Sequence, residues 1–240
     1  MSPILAVFRR EFRSHLNTVP AYLFAAFFLS VSAAWLFLAR GFFVRGEASL
    51  RSYFEVLPAL LAVLLPALTM RSWAEERRTG TYELLATLPV RPGELVAAKH
   101  LAVLGVVGSV LVLSLSVPLS VLRFGAFDVG VLVTEYIGTL ALASACAALG
   151  QWVSARSRTP AGAYLGTSAL LLALSAIHRL PAVLGLSGIA ARGLVWLSPA
   201  SHFESFVRGV LDSRDLAYFA ILTAGFLYLA AKALVREAWR

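Results

Sequence analysis

Long apolar runs separated by short polar segments dominate this chain of 240 residues. A helix rises about 1.5 Å per residue, so about 20 apolar residues cross a bilayer core roughly 30 Å thick. Six runs approach that length and predict transmembrane helices at about 21–38, 54–70, 101–122, 131–153, 161–177 and 216–234. Pro58 and Pro66 in the second run and Pro118 in the third remove backbone donors, so these helices should bend. The pattern predicts an all-α integral membrane protein with one domain, 1–240.

Composition supports this fold class. Hydrophobic residues make up 59% of the chain and charged residues 14%, and the mean hydropathy is +0.79. The formal charge of +8 fits an excess of Lys and Arg on the cytoplasmic side. No basic module stands apart from the apolar runs, so we expect no nucleic-acid partner. A single cysteine, Cys146, excludes an internal disulfide and a multi-cysteine metal site, and its alanine-rich surroundings predict a packing role.

The distribution of basic residues predicts the orientation of the chain. With a cytoplasmic amino terminus, thirteen of the 21 Lys and Arg residues fall on the inner side and eight on the outer side. This bias favours two cytoplasmic termini. The first apolar run is too long for the core of a signal peptide, so we expect it to be an uncleaved anchor.

A basic amphipathic helix is predicted before the first span. Its interface residues include Phe8, Arg9, Arg10 and Phe12, and Ile4, Leu5 and Leu16 extend the apolar face. Such a helix lies in the inner membrane interface. The alternative is a positively charged flank without helical structure.

A second irregular region, 181–214, separates the fifth and sixth predicted spans. Ser201 and Glu204 have the spacing of a capping box that starts a short outer helix. The apolar face of this helix contains Phe203, Phe206, Val207, Val210 and Leu211, and Arg208 and Gly209 complete the outer-helix residues. The preceding stretch is apolar but rich in glycine and carries Arg192. We interpret the region as a re-entrant or interfacial hairpin, with a seventh span as the alternative.

Short matches to catalytic motifs are weak. The sequence GELVAAKH at 93–100 lacks the second glycine and the hydroxyl residue of a phosphate-binding loop, and Pro92 and Glu94 instead indicate a helix start. The sequence GLSG at 185–188, with His202 downstream, has the residue types of an intramembrane serine protease. However, both groups lie in one loop rather than on two facing helices.

Glu135 is the acidic residue best placed inside a predicted span, and an intramembrane carboxylate is a candidate functional group. Its position about one turn from the outer end should let water reach it, which favours an interfacial or helix-pairing role over a proton relay. Small residues later in the same span predict close helix packing.

The most unusual feature is the charged segment 71–94, RSWAEERRTGTYELLATLPVRPGE. It predicts a charged helix through Arg78, a turn at Gly80 and a short helix from Thr81 to Leu88 that ends at Pro89. A rigid short helix joined directly to two spans could pass a push from a soluble partner into the bilayer. The alternative is a solvated loop that obeys the positive-inside rule.

At these residues the chain resembles the membrane subunits of type-2 ABC transporters, in particular the GldF-like branch. The pattern is P-x-LTMR-x-x-AEER-x-x-GT-x-ELL-x-T-x-PV, from Pro66 to Val90, and similarity extends to FRREFRSHLNTVPAYLF and FVRGVLDSRDLAYF. The resemblance implies six spans, an amino-terminal interface helix, a cytoplasmic coupling helix after the second span and an outer helical hairpin. It also implies a bacterial cytoplasmic (inner) membrane location.

The resemblance further implies a permease subunit of an ATP-driven export system. The chain contains no Walker motif, so ATP and Mg²⁺ would bind a separate ABC ATPase, and no catalytic, metal or cofactor site is expected here. A second copy or a related permease, the lipid bilayer and an accessory GldG-like protein are the other expected partners. The implied ATPase-docking residues are Glu75, Glu76, Arg77, Gly80, Thr81, Tyr82, Glu83, Leu84, Leu85, Leu88 and Pro89.

Two other classes of function stay open from the sequence. One is an ATP-independent transporter or channel, and the other is an intramembrane enzyme. No residue identifies the substrate, the choice between homodimer and heterodimer, or the direction of transport beyond the family's expectation of export.

Overall fold

The computed structural model describes residues 3–39, 50–80, 91–121 and 128–237. Within these ranges the secondary structure is helical, with no strand. The α-helices are α1 (Pro3–Leu16), α2 (Val19–Ala34), α3 (Arg51–Glu55), α4 (Leu57–Thr69), α5 (Arg71–Arg78), α6 (Pro92–Ser114), α7 (Ser116–Val121), α8 (Val129–Arg156), α9 (Pro160–Ala176), α10 (Leu180–Leu184), α11 (Ile189–Leu197), α12 (Pro199–Val207) and α13 (Ser213–Glu237). A π-helical turn, Trp35–Ala39, extends α2, and a 3₁₀ turn, Ile177–Arg179, joins α9 to α10.

Six helical stretches in the described chain are long and apolar enough to cross a membrane. They are Val19–Ala39, Leu57–Arg78, Pro92–Val121, Val129–Arg156, Pro160–Leu184 and Ser213–Val235. The predicted fold class is thus confirmed at this level: the chain is an all-α multi-pass membrane protein.

Helix breaks occur beside two of the three prolines that the sequence singled out, whereas Pro66 lies inside α4, which continues past it to Thr69. Pro58 lies in the first turn of α4, directly after the break from α3 at Val56. The third span breaks at Leu115, three residues before Pro118. Proline fits the first turn of a helix because the N–H groups there lack an intrahelical partner. Each break therefore restarts a helix at a position where proline is tolerated.

Helix α8 lies at the centre of the bundle and packs against α4, α5, α6, α9, α12 and α13. Close approach depends on glycine at two of these crossings. A Cβ added to Gly150 would lie 2.2 Å from the Thr69 Oγ1 of α4, and one added to Gly138 would lie 2.4 Å from the Phe206 ring of α12. Cys146 is buried in the same helix. Small residues in α8 thus allow several helices to pack closely on one axis.

Helix α1 packs against α6 through its aromatic face. The rings of Phe8 and Phe12 stack with centroids 5.8 Å apart, and a Cβ added to Gly105 would meet the Phe12 ring at 3.0 Å. Arg9 and Arg10 are exposed, while Leu5 and Leu16 are 39% and 38% exposed. Part of the predicted apolar face therefore contacts the bundle itself.

The region between the last two spans differs from the prediction in three respects. The fifth span continues through α10 to Leu184 and ends at Gly185, whose φ of +63° suits a helix terminus. Helix α12 starts at Pro199, so the predicted Ser201 capping box is wrong; the Ser201 hydroxyl donates to the Ser198 carbonyl instead. The helix also ends at Val207, which leaves Val210 and Leu211 outside it and exposed.

Gly209 explains why α12 stops there. Its φ is +77°, a conformation that favours glycine. An added Cβ would also lie 2.7 Å from Val131 Cγ2 of α8. Phe203 and Phe206 are buried, as expected for an apolar face, and the exposed Arg208 donates from Nε to the Glu204 carbonyl. We call α11 and α12 the hairpin, and the bundle end that carries them the hairpin end.

Candidate functional site

The candidate site lies at the opposite end of the bundle, where α5 ends and α6 begins. These helices flank the segment 81–90, so Thr81, Tyr82, Glu83, Leu84, Leu85, Leu88 and Pro89 of the predicted docking set lie outside the described residues. The predicted charged helix is present as α5, and Gly80 follows it with φ +72°. Helix α6 starts as expected, with Pro92 in its first turn and the Arg91 N–H donating to Glu94 Oε2.

Lys99 joins these two flanking helices. Its Nζ lies 2.6 Å from Glu76 Oε1 and 2.9 Å from the Ser72 carbonyl oxygen, both on α5. It also lies 3.6 Å from Glu11 Oε2 of α1 and 4.7 Å from the centroid of the Trp73 ring. The lysine side chain is only 4% exposed. We call Glu11, Ser72, Trp73, Glu76 and Lys99 the Lys99 cluster.

The cluster satisfies the requirement for a buried charge. A buried ion is stabilised only when opposite charges and hydrogen bonds replace its lost hydration. Lys99 contacts two carboxylates, one carbonyl oxygen and one aromatic ring face. Removing one member of such a group would leave an uncompensated charge, so the cluster should hold α1, α5 and α6 in fixed register.

The electrostatics of α1 reflect the same lysine. Burial acts to raise the pKa of Glu11, but Lys99 and Arg10 outweigh this effect and hold it below its usual value. The Arg10 guanidinium donates a 3.0 Å hydrogen bond to Glu11. Burial lowers the pKa of His15, with Glu11 opposing and Lys99 reinforcing the shift. Glu11 is therefore ionised and His15 neutral at pH 7.

Ser154 of α8 fixes the junction between α4 and α5. Its hydroxyl accepts hydrogen bonds from the Trp73 and Ala74 backbone N–H groups, each at 3.2 Å, and donates to the Met70 carbonyl at 3.0 Å. A polar side chain that inserts at a helix junction replaces bonds missing from the helical ladder. The hydroxyl thereby ties the bend at Met70 to the central helix.

The remaining charged residues of α5 divide between the bundle and the surface. Arg77 donates to the Ala155 carbonyl of α8. Glu75 instead accepts a 2.6 Å bond from Arg78, an arginine whose side chain is 62% exposed. Glu75 and Glu76 are thus sequence neighbours with different environments, one at the surface and one in the Lys99 cluster.

A charged cleft of about 480 Å³ opens beside this cluster, between α1 and the junction of α4 with α5. Its lining includes Arg10, Glu11, His15, Arg71, Glu75 and Glu76. Charges of both signs line the cleft. The described structure therefore places a polar concave surface next to the ends that lead into segment 81–90.

Sequence reasoning missed Glu11, Lys99 and Ser154 as members of this site. Lys99 bonds residues 23 and 27 positions away, and Ser154 bonds residues 80 to 84 positions away, so no local motif connects them. One signal was available in the sequence. Lys99 lies in the apolar stretch VAAKHLAV near the start of a predicted span, and a charge in such surroundings needs a partner of opposite charge. The glutamates of α5 were the nearest candidates.

At the hairpin end, His202 of α12 and Asp215 of α13 form the main polar contact. Their Nδ1 and Oδ1 atoms lie 2.6 Å apart, and His202 Nε2 lies 2.8 Å from the Trp196 carbonyl oxygen. The His202 ring also stacks on Tyr218 at 3.9 Å, and the Tyr218 hydroxyl donates to the Leu197 carbonyl. Both ring nitrogens face acceptors, so His202 anchors the hairpin and is not poised as a base for the exposed Ser187.

Glu135 does not have the environment expected from sequence. It is only 2% exposed, so the expectation that water reaches it is wrong for this conformation. Its Oε1 atom is buried without a hydrogen-bond partner in the described part of the chain. The hairpin covers this end of α8, which the sequence pattern alone could not show.

Neither models of known protein families nor curated proteins give a significant match to this chain. Within the described ranges, no group of three or more His, Cys, Asp and Glu side chains could hold a metal ion.

Proposed function

We propose that this chain is the membrane-spanning permease subunit of an ATP-driven ABC export system. A separate nucleotide-binding subunit would hydrolyse ATP and drive substrate across a bacterial cytoplasmic membrane. The observation that carries the proposal is the Lys99 cluster, which fixes both helices that flank segment 81–90 to each other and to the bundle. The resemblance of residues 66–90 to type-2 ABC permeases supports the same conclusion.

The flanking helices belong to two successive spans. Helix α5 continues the second span and α6 is the start of the third span. Lys99 bonds α6 to α5, and Ser154 and Arg77 bond the α5 region to α8. A displacement applied at segment 81–90 therefore moves three spans together, rather than being absorbed by a loose loop. Packed helices of this kind move as discrete units.

In this proposal the segment from Thr81 to Leu88 is the coupling helix that docks on the ATPase. A helix of this length is not stable alone, so packing on a partner would order it. Tyr82, Leu85 and Leu88 are the proposed apolar anchors, and Glu83 meets a basic group across the interface. The charged cleft between α1 and α5 gives the partner an adjacent polar surface.

The orientation follows from the arginine distribution. The end with the Lys99 cluster faces the cytoplasm, α1 is the amino-terminal interface helix and the hairpin is the outer re-entrant element. Reporter fusions after Arg158 and Arg240 should read cytoplasmic, and a fusion after Arg214 should read external. An external carboxyl terminus would contradict this topology.

Co-purification tests the proposal. The affinity-tagged chain, extracted from its own organism, should bring with it an ATPase that carries Walker and signature motifs, and the complex should contain two permease chains. The isolated chain should neither bind nor hydrolyse ATP. ATP hydrolysis by the chain alone, or transport by the chain in vesicles without an ATPase, would contradict the proposal.

Glu83→Lys and Leu85→Asp sharpen this test, with Arg158→Glu as the control, a charge reversal at an exposed position outside segment 71–94. Leu85→Asp should abolish association because it places a charge in an apolar contact. Glu83→Lys should weaken association to a smaller extent through charge reversal. Full association of both variants at equal membrane abundance would show that segment 81–90 is not the ATPase-docking element.

A further inference from the structure

A cluster of hydroxyl and carboxyl groups lies inside the hairpin end of the bundle. Tyr136 of α8 and Ser114 of α6 are bonded through their hydroxyls at 2.9 Å. The Tyr53 hydroxyl of α3 is also buried, and among the described residues it has no hydrogen-bond partner. Glu135 precedes Tyr136 on α8. We call Ser32, Tyr53, Ser114, Glu135 and Tyr136 the Glu135 cluster.

The cluster lies within the span of the bundle rather than at its rim. Ser32, Ser114 and Glu135 each lie six or seven residues from the hairpin-end terminus of their helical stretch, Ala39, Val121 and Val129 respectively. At about 1.5 Å per residue this is about 10 Å below the helix ends. The Phe54 ring joins two of its members, since it packs edge-on against both Tyr53 and Tyr136.

We propose that Glu135 is a proton-binding site, occupied in this conformation and emptied when the hairpin end opens to water. Glu135 is 2% exposed, and its Oε1 has no hydrogen-bond partner among the described residues. An ionised carboxylate in this position would lose its hydration without replacement, and such a group takes up a proton instead. With the carboxyl group almost inaccessible, a proton is the ligand that fits.

Few charged or titratable side chains lie near Glu135 in the described part of the chain. Arg51 of α3 is the cation that acts on Glu135, but its Nε donates to Glu55 at 3.0 Å. Near this end α2, α4, α6 and α7 carry no titratable side chain. Helices α12 and α13 contribute His202, Asp215 and Tyr218, which bond within the hairpin region, and Glu204, which lines a cavity with Arg51.

That cavity supplies the route for release. It measures about 420 Å³, and its lining includes Trp35, Arg51, Glu55, His178, Arg179 and Glu204. A movement of α3 away from α8 would expose Glu135 to this polar space. Hydrated and facing Arg51, the carboxyl would then ionise. Opening of the hairpin end is thereby linked to release of one proton, and closing to its uptake.

Infrared spectroscopy of the full chain in lipid nanodiscs tests the site directly. At pH 7 the wild type should show the carbonyl stretch of a protonated carboxyl group, and Glu135→Gln should lack it. Glu75→Gln is the matched control, because Glu75 pairs with the exposed Arg78 at the opposite end of the bundle and should leave the band unchanged. An identical band in the wild type and Glu135→Gln would overturn the proposal.

Two further measurements keep the proposal testable if the variant folds poorly. In the wild type alone, the acid band should persist at pH 7, where exposed carboxyl groups are ionised. On transfer to D₂O it should shift slowly, since exchange requires opening. A spectrum without any acid band, or a shift complete at mixing, would overturn the proposal. These results are independent of any ATPase, so they can fail while the proposed function stands.

Discussion

Two buried charged residues, Lys99 and Glu135, occupy opposite ends of the same bundle. Their side-chain environments differ: Lys99 contacts two carboxylates, a carbonyl oxygen and an indole ring, whereas Glu135 has a buried oxygen without a bond among the described residues. The first arrangement keeps an ion charged and fixes three helices. The second favours the neutral form and leaves the carboxyl able to change its protonation state.

The difference suggests that the two ends of the bundle have different roles. The end with the Lys99 cluster has the rigidity required to receive a displacement and pass it on. The hairpin end, anchored by His202 and Asp215, has the groups required to respond to water. Burial alone does not distinguish these roles, since both side chains are almost inaccessible. The groups that each side chain contacts distinguish them.

The largest expected effect comes from removing the cation of the Lys99 cluster. Lys99→Met keeps the side-chain length but leaves Glu11 and Glu76 without their shared partner. Breaking a buried pair in this way costs about 3–5 kcal/mol. Arg78→Met is the control, because it breaks an exposed pair worth about 1 kcal/mol or less. Thermal unfolding in detergent measures both, and equal losses would contradict the assigned role of Lys99.

The next effect concerns the crossing of α8 with α12. Gly138→Ala places a Cβ 2.4 Å from the Phe206 ring, so the hairpin must shift. Overpacking of this kind costs up to about 3 kcal/mol. Gly225→Ala of α13 is the matched control, because an added Cβ meets nothing within 4 Å. Cysteine cross-linking between α8 and α12 should fall only in the first variant; unchanged cross-linking would place the two helices farther apart than described.

Much of the fold could be predicted from the sequence, and the reason is physical. The length of an apolar run predicts a span because the bilayer thickness sets the length of helix required. Helix breaks near Pro58, Pro118 and Gly80 could be predicted because proline and glycine act on the backbone locally. The wrong boundary at Ser201 shows the limit: a capping-box spacing competed with Pro199, which suits a helix start better.

The candidate site was less accessible to sequence reasoning. Glu76 and Arg77 stood out as charges, but their partners lie on other helices. Lys99 of α6 pairs with Glu76 and with Glu11 of α1. The Ala155 carbonyl of α8 accepts from Arg77. Glu135 shows the same limit, since its distance from the helix end suggested access to water and only the packed hairpin excludes it. Tertiary partners determine the state of a buried charge, and sequence spacing within one helix does not reveal them.

A smaller effect is expected at the α4–α5 junction. Ser154→Ala removes the acceptor for two N–H groups and the donor to Met70, at a cost of about 1–2 kcal/mol in a membrane setting. Ser157→Ala provides the control because Ser157 bonds only locally, to the Val153 carbonyl. Hydrogen exchange at Trp73 and Ala74 should rise in the first variant alone. Unchanged exchange would show that the junction does not depend on this hydroxyl.

The smallest effect is the acid sensitivity of α1. Burial acts to raise the pKa of Glu11, but Lys99 lowers it, and the pKa is held below its usual value. Its ionised form therefore stabilises the fold above the unfolded pKa of about 4.3, and this contribution is lost as pH falls through the lower folded value. Glu11→Gln should reduce the loss of thermal stability between pH 5 and about pH 3 by less than about 1 kcal/mol. If the variant loses as much thermal stability in acid as the wild type does, Glu11 does not belong to the Lys99 cluster.

The central claim is that segment 81–90 transmits ATPase motion through the Lys99 cluster. The most direct measurement is ATP-driven transport by the reconstituted complex carrying Glu76→Lys, Lys99→Glu or both changes, with the exposed Arg158→Glu as the control. Each single change should uncouple ATP hydrolysis from transport, and the charge-swapped pair should recover part of the coupling. Full transport in both single variants at equal abundance would contradict the claim.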